Sequence, residues 1–196
     1  MYLGFRTIEL DQSHRLYIGQ LPEKLFMNPT QFETAWSLHP PDYHDIRVHH
    51  RWVKTPRWQQ AYGKSYVFSG TESQALPIPD QLLPLLEWCQ EKIDSQLNGL
   101  LLNWYDGTLG HYISRHRDSR RHLKTGPPIV TISFGERRVF RLRPYRGKGY
   151  TDYSDLDDGT VVIMPYDTNL TWTHEVPAFK RHRGRRISVT ARAFVE

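Results

Sequence analysis

The sequence predicts a mostly β domain with flanking helices, an α+β arrangement in which an antiparallel sheet is closed or sandwiched and a helix packs outside it. Three observations carry this expectation. After Gly99 the chain becomes one short run of strand-forming residues after another. Turn signals such as Asp106-Gly107 and Asp158-Gly159 recur between those runs. No internal repeat or low-complexity linker interrupts the 196 residues, a length that suits a single domain.

Taken in order, Arg15 to Gly19 reads as a short strand. Pro29 then opens a helix through Trp36, with Asn28 as its cap. Asp45 to Val53 alternates apolar and polar side chains, Ile46 and Val48 among them, as one half-buried strand does. A longer helix is expected from Asp80 to Asn98. Asp80 would cap it, Pro84 lies in its first turn, and Gly99 stops it. Leu82, Leu86, Cys89, Ile93 and Leu97 form its apolar stripe, so Cys89 reads as a buried apolar residue and not as a nucleophile. Strands follow over Leu100 to Tyr105, Ile129 to Phe134, Arg137 to Arg143, Thr160 to Met164 and Arg186 to Val195. On this division residues 1–99 form an N-terminal extension with a supporting helix, and residues 100–196 a β core.

Composition narrows the chemistry. With a single cysteine no internal disulfide is possible, so a metal site must draw on His, Asp or Glu. No apolar run reaches the ~18 residues that span a bilayer. The early Arg6, Glu9 and Asp11 do not follow the order of a signal peptide, so a soluble, cytoplasmic protein is expected, with no membrane association. The net charge is +5, from 26 Lys and Arg against 21 Asp and Glu. The excess gathers in Arg115 to Lys124, Arg137 to Lys148 and Lys180 to Arg186, which suits a polyanion but also an ordinary solvated face.

Three pieces of sequence carry chemistry. Positions two apart on a strand share a face, so His116 and Asp118 can grip one ion. A second imidazole from a distant strand, best supplied by His174, would complete two histidines and one carboxylate. That arrangement leaves about three positions open and suits non-haem iron(II). By itself the pair is also compatible with a surface histidine beside a turn aspartate. The terminal strand puts Arg186, Ser188, Thr190 and Arg192 on one face and apolar residues on the other. If that polar face points inward, two buried guanidiniums call for carboxylate partners, and a small dicarboxylate meets the need. An edge strand with its arginines in water has the same alternation. Asn103 and Tyr105 again share one strand face and offer an amide and a phenol to a carboxylate or keto oxygen, or to the core.

In order, Asn103-x-Tyr105, His116-x-Asp118, His174 and Arg186-x-Ser188-x-Thr190-x-Arg192 resemble the motifs of the AlkB-type Fe(II)/2-oxoglutarate dioxygenases. Ser188 stands where that family usually has Asn. Thr55 to Gly63 and Tyr66 to Gly70 are similar to the nucleotide-recognition region of the family's DNA- and RNA-repair branch, so the likeness runs over roughly residues 45 to 196. It implies a double-stranded β-helix (jelly-roll) core, with Fe(II), 2-oxoglutarate and O2 as cofactors. It implies iron on His116, Asp118 and His174 and the distal carboxylate of 2-oxoglutarate on Arg186. Arg192 lies near the metal-side carboxylate and Asp118, and Asn103, Tyr105, Ser188 and Thr190 line the co-substrate. The substrate implied is DNA or RNA with alkylated bases, demethylated with release of formaldehyde, succinate and CO2. A flipped base would be stacked between Phe68 and the ring of His116, with Tyr66 and Ser69 at its edge.

A second departure bears on the substrate. Arg120 stands where the repair branch commonly carries an acid that contacts the exocyclic amine of the lesion. An arginine there would repel a cationic base, so Arg120 is expected either to turn outward to a phosphate or to shift preference toward neutral, carbonyl-bearing bases. Two other functions fit part of the pattern: hydroxylation or demethylation of a protein side chain or small metabolite, and a non-enzymatic nucleic-acid-binding β-sandwich. A zinc hydrolase would leave Arg186 and Arg192 without a purpose. A monomer with no obligate protein partner is expected.

Overall fold

The computed structural model describes residues 2–48, 50–68, 71–154 and 156–195, with Val48 and Phe68 described in backbone only. The first half of the chain contains β1 (Arg6–Glu9), β2 (Arg15–Gln20), helix α1 (Pro29–Trp36), β3 (Asp45–Val48), β4 (Arg51–Lys54), β5 (Trp58–Tyr62), β6 (Tyr66–Phe68), β7 (Thr71–Ser73) and helix α2 (Leu83–Lys92). The second half contains β8 (Gly99–Asp106), β9 (Ile113–His116), β10 (Ile129–Gly135), β11 (Phe140–Pro144), β12 (Thr151–Tyr153), β13 (Thr160–Met164), helix α3 (Tyr166–Thr171), β14 (Trp172–Val176) and β15 (Arg185–Arg192). A seven-stranded sheet in the order β1-β2-β13-β10-β15-β8-β5 faces a four-stranded sheet in the order β12-β11-β14-β9. Both are antiparallel throughout, and together they form the jelly-roll core. Strands β1, β2 and β5 belong to the large sheet, so residues 1–99 are woven into it.

The large sheet is coated on both faces, which explains its apolar runs. On the outer face Ile187, Val189, Leu100, Leu102, Trp104, Val130 and Ile132 meet Leu85, Leu86, Trp88 and Cys89 of α2 and Ala35 of α1. Burying each large apolar side chain there contributes roughly 1.5–3 kcal/mol. Trp104 is anchored further by donating Nε1–H to the Ala35 carbonyl at 2.9 Å. Between the sheets Leu16, Ile18, Val162 and Met164 pack on Phe140, Leu142, Trp172 and Val176 and close one end of the sandwich. Cys89 is buried and its thiol is pushed up to about 12 by desolvation, which leaves it unreactive at neutral pH.

Helix α1 begins at Pro29 under an Asn28 cap, completed by a reciprocal bond from Gln31 that forms a capping box. The second helix is shorter than its apolar stripe. A 3-10 turn at Asp80–Leu82 follows Pro79, Asp80 makes no capping bond, and the α-helix ends at Lys92. Beyond it the Gln90 side chain donates to the Leu97 carbonyl at 2.6 Å, and Asp94 accepts from the Gln96 N–H. Leu97 thus reaches the core from a turn and not from a helix.

Asp45 to Val53 is not one strand. It folds as the β3–β4 hairpin, reversed at His50, which adopts φ 66°. Every residue of β4 is exposed, Trp52 by 64%. Arg137 and Arg138 precede β11 in the turn after Gly135, where φ is 85° and a Cβ would strike the Arg185 carbonyl. The last strand ends at Arg192, and Phe194 bridges to Leu123.

Candidate active site

Sheet register builds the site. In the small sheet, β14 and β9 pair His174 directly with His116, so two imidazoles far apart in sequence become cross-strand neighbours with ring centres 4.2 Å apart. Asp118 lies two residues beyond His116, on the way back toward the large sheet. The backbone of Asp118 is clasped by Asn169 of α3, whose amide oxygen accepts the Asp118 N–H at 2.9 Å and whose NH2 donates to the Asp118 carbonyl at 3.1 Å. One ligand atom from each of His116, Asp118 and His174 lies within 4.8 Å of the others.

The carboxylate is shared with a clear division of labour. Oδ2 of Asp118 accepts two bonds from Arg192, Nε at 2.9 Å and Nη2 at 2.7 Å. Oδ1 instead faces Nε2 of His116 at 3.6 Å and Nε2 of His174 at 3.9 Å. Burial by itself would raise the Asp118 pKa, but Arg192 and the two imidazoles hold it well below the usual carboxylate range. His174 is pulled down to about 3, first by desolvation and then by the neighbouring His116, so its ring is neutral near pH 7. His116 Nδ1 lies 2.8 Å from the Ser114 carbonyl, and a proton donated there leaves Nε2 free as a ligand. An anionic oxygen and two neutral imidazole nitrogens on one side of a point are what a facial iron(II) site requires.

Facing this triad, the inner face of the large sheet carries polar rows where a closed core would be apolar. Gln59, Asn103, Ser188 and Ser133 stand side by side across β5, β8, β15 and β10, with Tyr105 opposite Arg186 in a neighbouring row. Arg186 is 6% exposed. It donates Nη2–H to Ser133 Oγ at 2.8 Å and sits 5.1 Å from the Tyr105 ring centre, while its Nη1 is buried without a partner. Among the described residues no carboxylate makes an ion pair with it, and desolvation lowers its pKa. Arg192 Nη1 is likewise unpartnered. Two unsatisfied guanidinium edges in one cavity of about 370 Å³ fit the carboxylates of a small diacid. Thr190 lines the same cavity, its Oγ1 3.4 Å from that of Thr131.

The residues expected near a base divide. Tyr66 and His116 line the cavity. Tyr66 is buried with its ring 4.6 Å from the Arg192 guanidinium, and its hydroxyl accepts the Ser119 N–H at 3.2 Å. The side chain of Phe68, and Ser69 altogether, lie outside the described residues. Arg120 is exposed and does not line this cavity. It borders a smaller one of about 320 Å³ with Tyr145 and Asn169, which shares Arg117, Asp118 and Ser119 with the first. Arg117 is fixed there, its guanidinium 3.6 Å from the Tyr145 ring centre.

Several site residues escaped sequence reasoning. Asn169 carries no motif around it. Ser133 reads as one more polar position in an alternating strand. Arg57 and Gln59 fall in the Thr55 to Gly63 segment that resembles a nucleotide-recognition region, but nothing in the sequence reveals that β5 pairs with β8 and sets them beside Asn103.

A jelly roll with a two-histidine, one-carboxylate cluster beside a buried arginine that has no carboxylate partner among the described residues defines a class of metal-dependent oxygenase architectures. The profile of the 2OG-Fe(II) oxygenase superfamily matches residues 24–192, and the chain belongs to that superfamily, with AlkB-type relatives. It is 32% identical over 161 residues to the DNA oxidative demethylase ALKBH2 of Homo sapiens, covering 75% of this chain and 60% of that protein. It is 31% identical over 150 residues to the alpha-ketoglutarate-dependent dioxygenase alkB homolog 3 of Rattus norvegicus, covering 70% of this chain and 50% of that one. The match thus spans between half and two thirds of these relatives' length. The solved structure of OsALKBH1 shares the fold with a TM-score of 0.59 at 15% identity, over 95% of this chain and 99% of that one. The family's iron(II), 2-oxoglutarate and O2 agree with the donor set found here.

Proposed function

We propose that this protein oxidatively removes N-alkyl groups from bases in DNA or RNA. One N-methyl group, one 2-oxoglutarate and one O2 give an N-hydroxymethyl base, succinate and CO2. The hydroxymethyl group then leaves as formaldehyde and restores the N–H. The observation that carries the oxidative half of this reading is the unpaired Arg186 edge in the same cavity as the His116, Asp118 and His174 cluster, because it calls for a diacid beside the metal ligands. That the ALKBH2 relatives are DNA oxidative demethylases supports the nucleic-acid side.

Iron bound to the three ligands would supply oxygen activation. The chain's own residues do the rest. Arg186, with Ser133 behind it, would hold the distal carboxylate of 2-oxoglutarate. Asn103, Tyr105, Ser188 and Thr190 would shape the floor beneath it. Arg192 would keep Asp118 ionised and turned so that only Oδ1 is offered. Tyr66, laid over Arg192, would shield that pair from water. Outside the cavity Arg121, Arg146, Lys148, Lys180 and Arg181 are exposed, as phosphate contacts would be.

An oxygen-dependent succinate assay with methylated oligonucleotides, methylated peptides and small metabolites tests this. Succinate formation should rise about tenfold or more with methylated oligonucleotide and stay at its basal rate with the others. That stimulation should weaken steeply between low and moderate salt. Stimulation by a peptide or metabolite alone would replace the reading with that substrate.

A further inference from the structure

At the β5 edge of the cavity lies a second polar group that the co-substrate does not account for. Arg57 is 7% exposed and, among the described residues, makes no ion pair with a carboxylate. Its guanidinium is spent on two amides. Nε donates to Asn103 Oδ1 at 2.7 Å, and Nη2 donates to Gln59 Oε1 at 3.0 Å. Because Arg57 occupies both amide oxygens, the polarity of both amides is fixed, and each is left with its NH2 to offer. Gln59 is completely buried, lines the cavity, and its Nε2 has no partner. A buried amide donor without an acceptor costs about 1–3 kcal/mol, so the arrangement is expected to meet an acceptor in use.

A 2-oxoglutarate anchored at Arg186 is not that acceptor. Held at Arg186 of β15 and laid over Asn103 and Tyr105 of β8, it stops one strand short of Gln59, which stands on β5 at the sheet edge. The β5 edge is also where Ile46, Pro56 and Tyr66 line the cavity, toward the segments that resemble a nucleotide-recognition region. Of the described residues that line the cavity, Asp118 is the only one with a carboxylate. Its Oδ2 is taken by Arg192 and its Oδ1 faces the two histidines. A base entering from this edge therefore meets donors and a buried cation, with no free acid.

Resting on the reading of this cavity as a base-demethylating site, we propose that Gln59 selects the target: with its amide oxygen held by Arg57, it presents its Nε2–H donor to a base carbonyl. The site would then take neutral, carbonyl-edged N-methyl bases, N3-methylthymine or N3-methyluracil above all, ahead of cationic, amine-edged N3-methylcytosine and N1-methyladenine. A carbonyl oxygen satisfies Gln59 Nε2. An exocyclic amine leaves it unpaired and adds a positive charge near Arg57. Leaving that one buried donor unpaired costs about 1–3 kcal/mol, or roughly 10–100-fold in discrimination. Arg120, exposed and outside the cavity, has no part in this choice.

The test compares single-stranded oligonucleotides of one sequence carrying either N3-methylthymine or N3-methylcytosine. Wild type should favour methylthymine about tenfold in kcat/KM. Gln59→Glu keeps the side chain's size but turns its donor into an acceptor beside Arg57. It should lower that ratio at least tenfold while the KM for 2-oxoglutarate changes little, and Arg120→Glu should leave the ratio as in wild type. Should Gln59→Glu fail to fold, the wild-type complex with Mn(II) and 2-oxoglutarate gives the same comparison by equilibrium binding of the two oligonucleotides. Turnover of both substrates with a preference for methylcytosine, or a variant that moves both equally, overturns the selection and leaves the demethylase reading standing. If neither oligonucleotide stimulates succinate formation, the demethylase reading falls and takes this inference with it.

Discussion

Asp118→Asn should remove both the metal and a measurable part of the fold's stability. The carboxylate is 4% exposed and neutralises an equally buried Arg192. Removing one partner of a buried pair costs about 3–5 kcal/mol, although the new amide oxygen can still accept a bond from Arg192 and would keep the loss near the lower end. Metal affinity should fall well beyond the ~10–100-fold that even outer-shell changes cost, with turnover lost in proportion. A pH signature accompanies this. The pKa of Asp118 is depressed in the fold, so its contribution to stability is fully present above the unfolded value of about 4. It is lost as pH falls below that, toward the depressed native value. Urea unfolding of the metal-free protein at pH 7 and at pH 3 should show the wild type losing more stability on acidification than Asp118→Asn. Equal losses would mean that the Asp118–Arg192 pair does not hold the site together. His116→Ala is the control that separates the two effects. The side chain of His116 is 29% exposed, so this variant should lose metal with little change in stability.

The second large effect has the opposite sign on the fold. Arg186 is buried with no carboxylate partner among the described residues, so it is a standing cost until a diacid arrives. Arg186→Met should leave the ligand-free protein as stable as wild type or more so. It should weaken 2-oxoglutarate by about 2–5 kcal/mol, roughly 30- to several-thousand-fold, since the distal carboxylate loses its buried partner. Equilibrium titration of 2-oxoglutarate into the Mn(II)-loaded protein reads the affinity, and thermal unfolding of the free protein reads the stability. An affinity within threefold of wild type would remove Arg186 from the co-substrate site.

Much of this fold was legible because its strands are coated on both faces in different ways. β15 alternates apolar Ile187, Val189 and Ala191 against α2 with Arg186, Ser188, Thr190 and Arg192 on the cavity, and that alternation can be read directly. The Asn28 cap and Pro29 start of α1 are equally local signals. The errors arose where local pattern and tertiary geometry part. Nothing between Ile46 and Trp52 carries the glycine, proline or asparagine that usually marks a hairpin, yet His50 takes the positive φ that reverses the chain. The apolar stripe of α2 continues to Leu97, but Gln90 and Asp94 close a turn beneath it. The candidate site shows the same division. Residue types at His116, Asp118, His174 and Arg186 could be chosen from spacing and resemblance. The pairing of β14 with β9, the Asn169 clasp and the neighbourhood of Gln59 with Asn103 depend on long-range register that spacing does not encode. For Arg120 spacing leaves two orientations open, and local structure favours one of them: the chain turns after Asp118, where the Leu123 N–H bonds the Arg120 carbonyl at 3.1 Å, and the side chain is exposed, as the outward turn to a phosphate requires.

The most direct measurement follows the methyl carbon itself. An oligonucleotide carrying a carbon-13-labelled N-methyl base is incubated with the protein, Fe(II), 2-oxoglutarate and O2, and the labelled products are counted against succinate. Labelled formaldehyde and restored base should appear equimolar with the oligonucleotide-stimulated succinate, and neither should form when Fe(II), 2-oxoglutarate or O2 is omitted. Label retained in full on the base while succinate accumulates would contradict the demethylase reading.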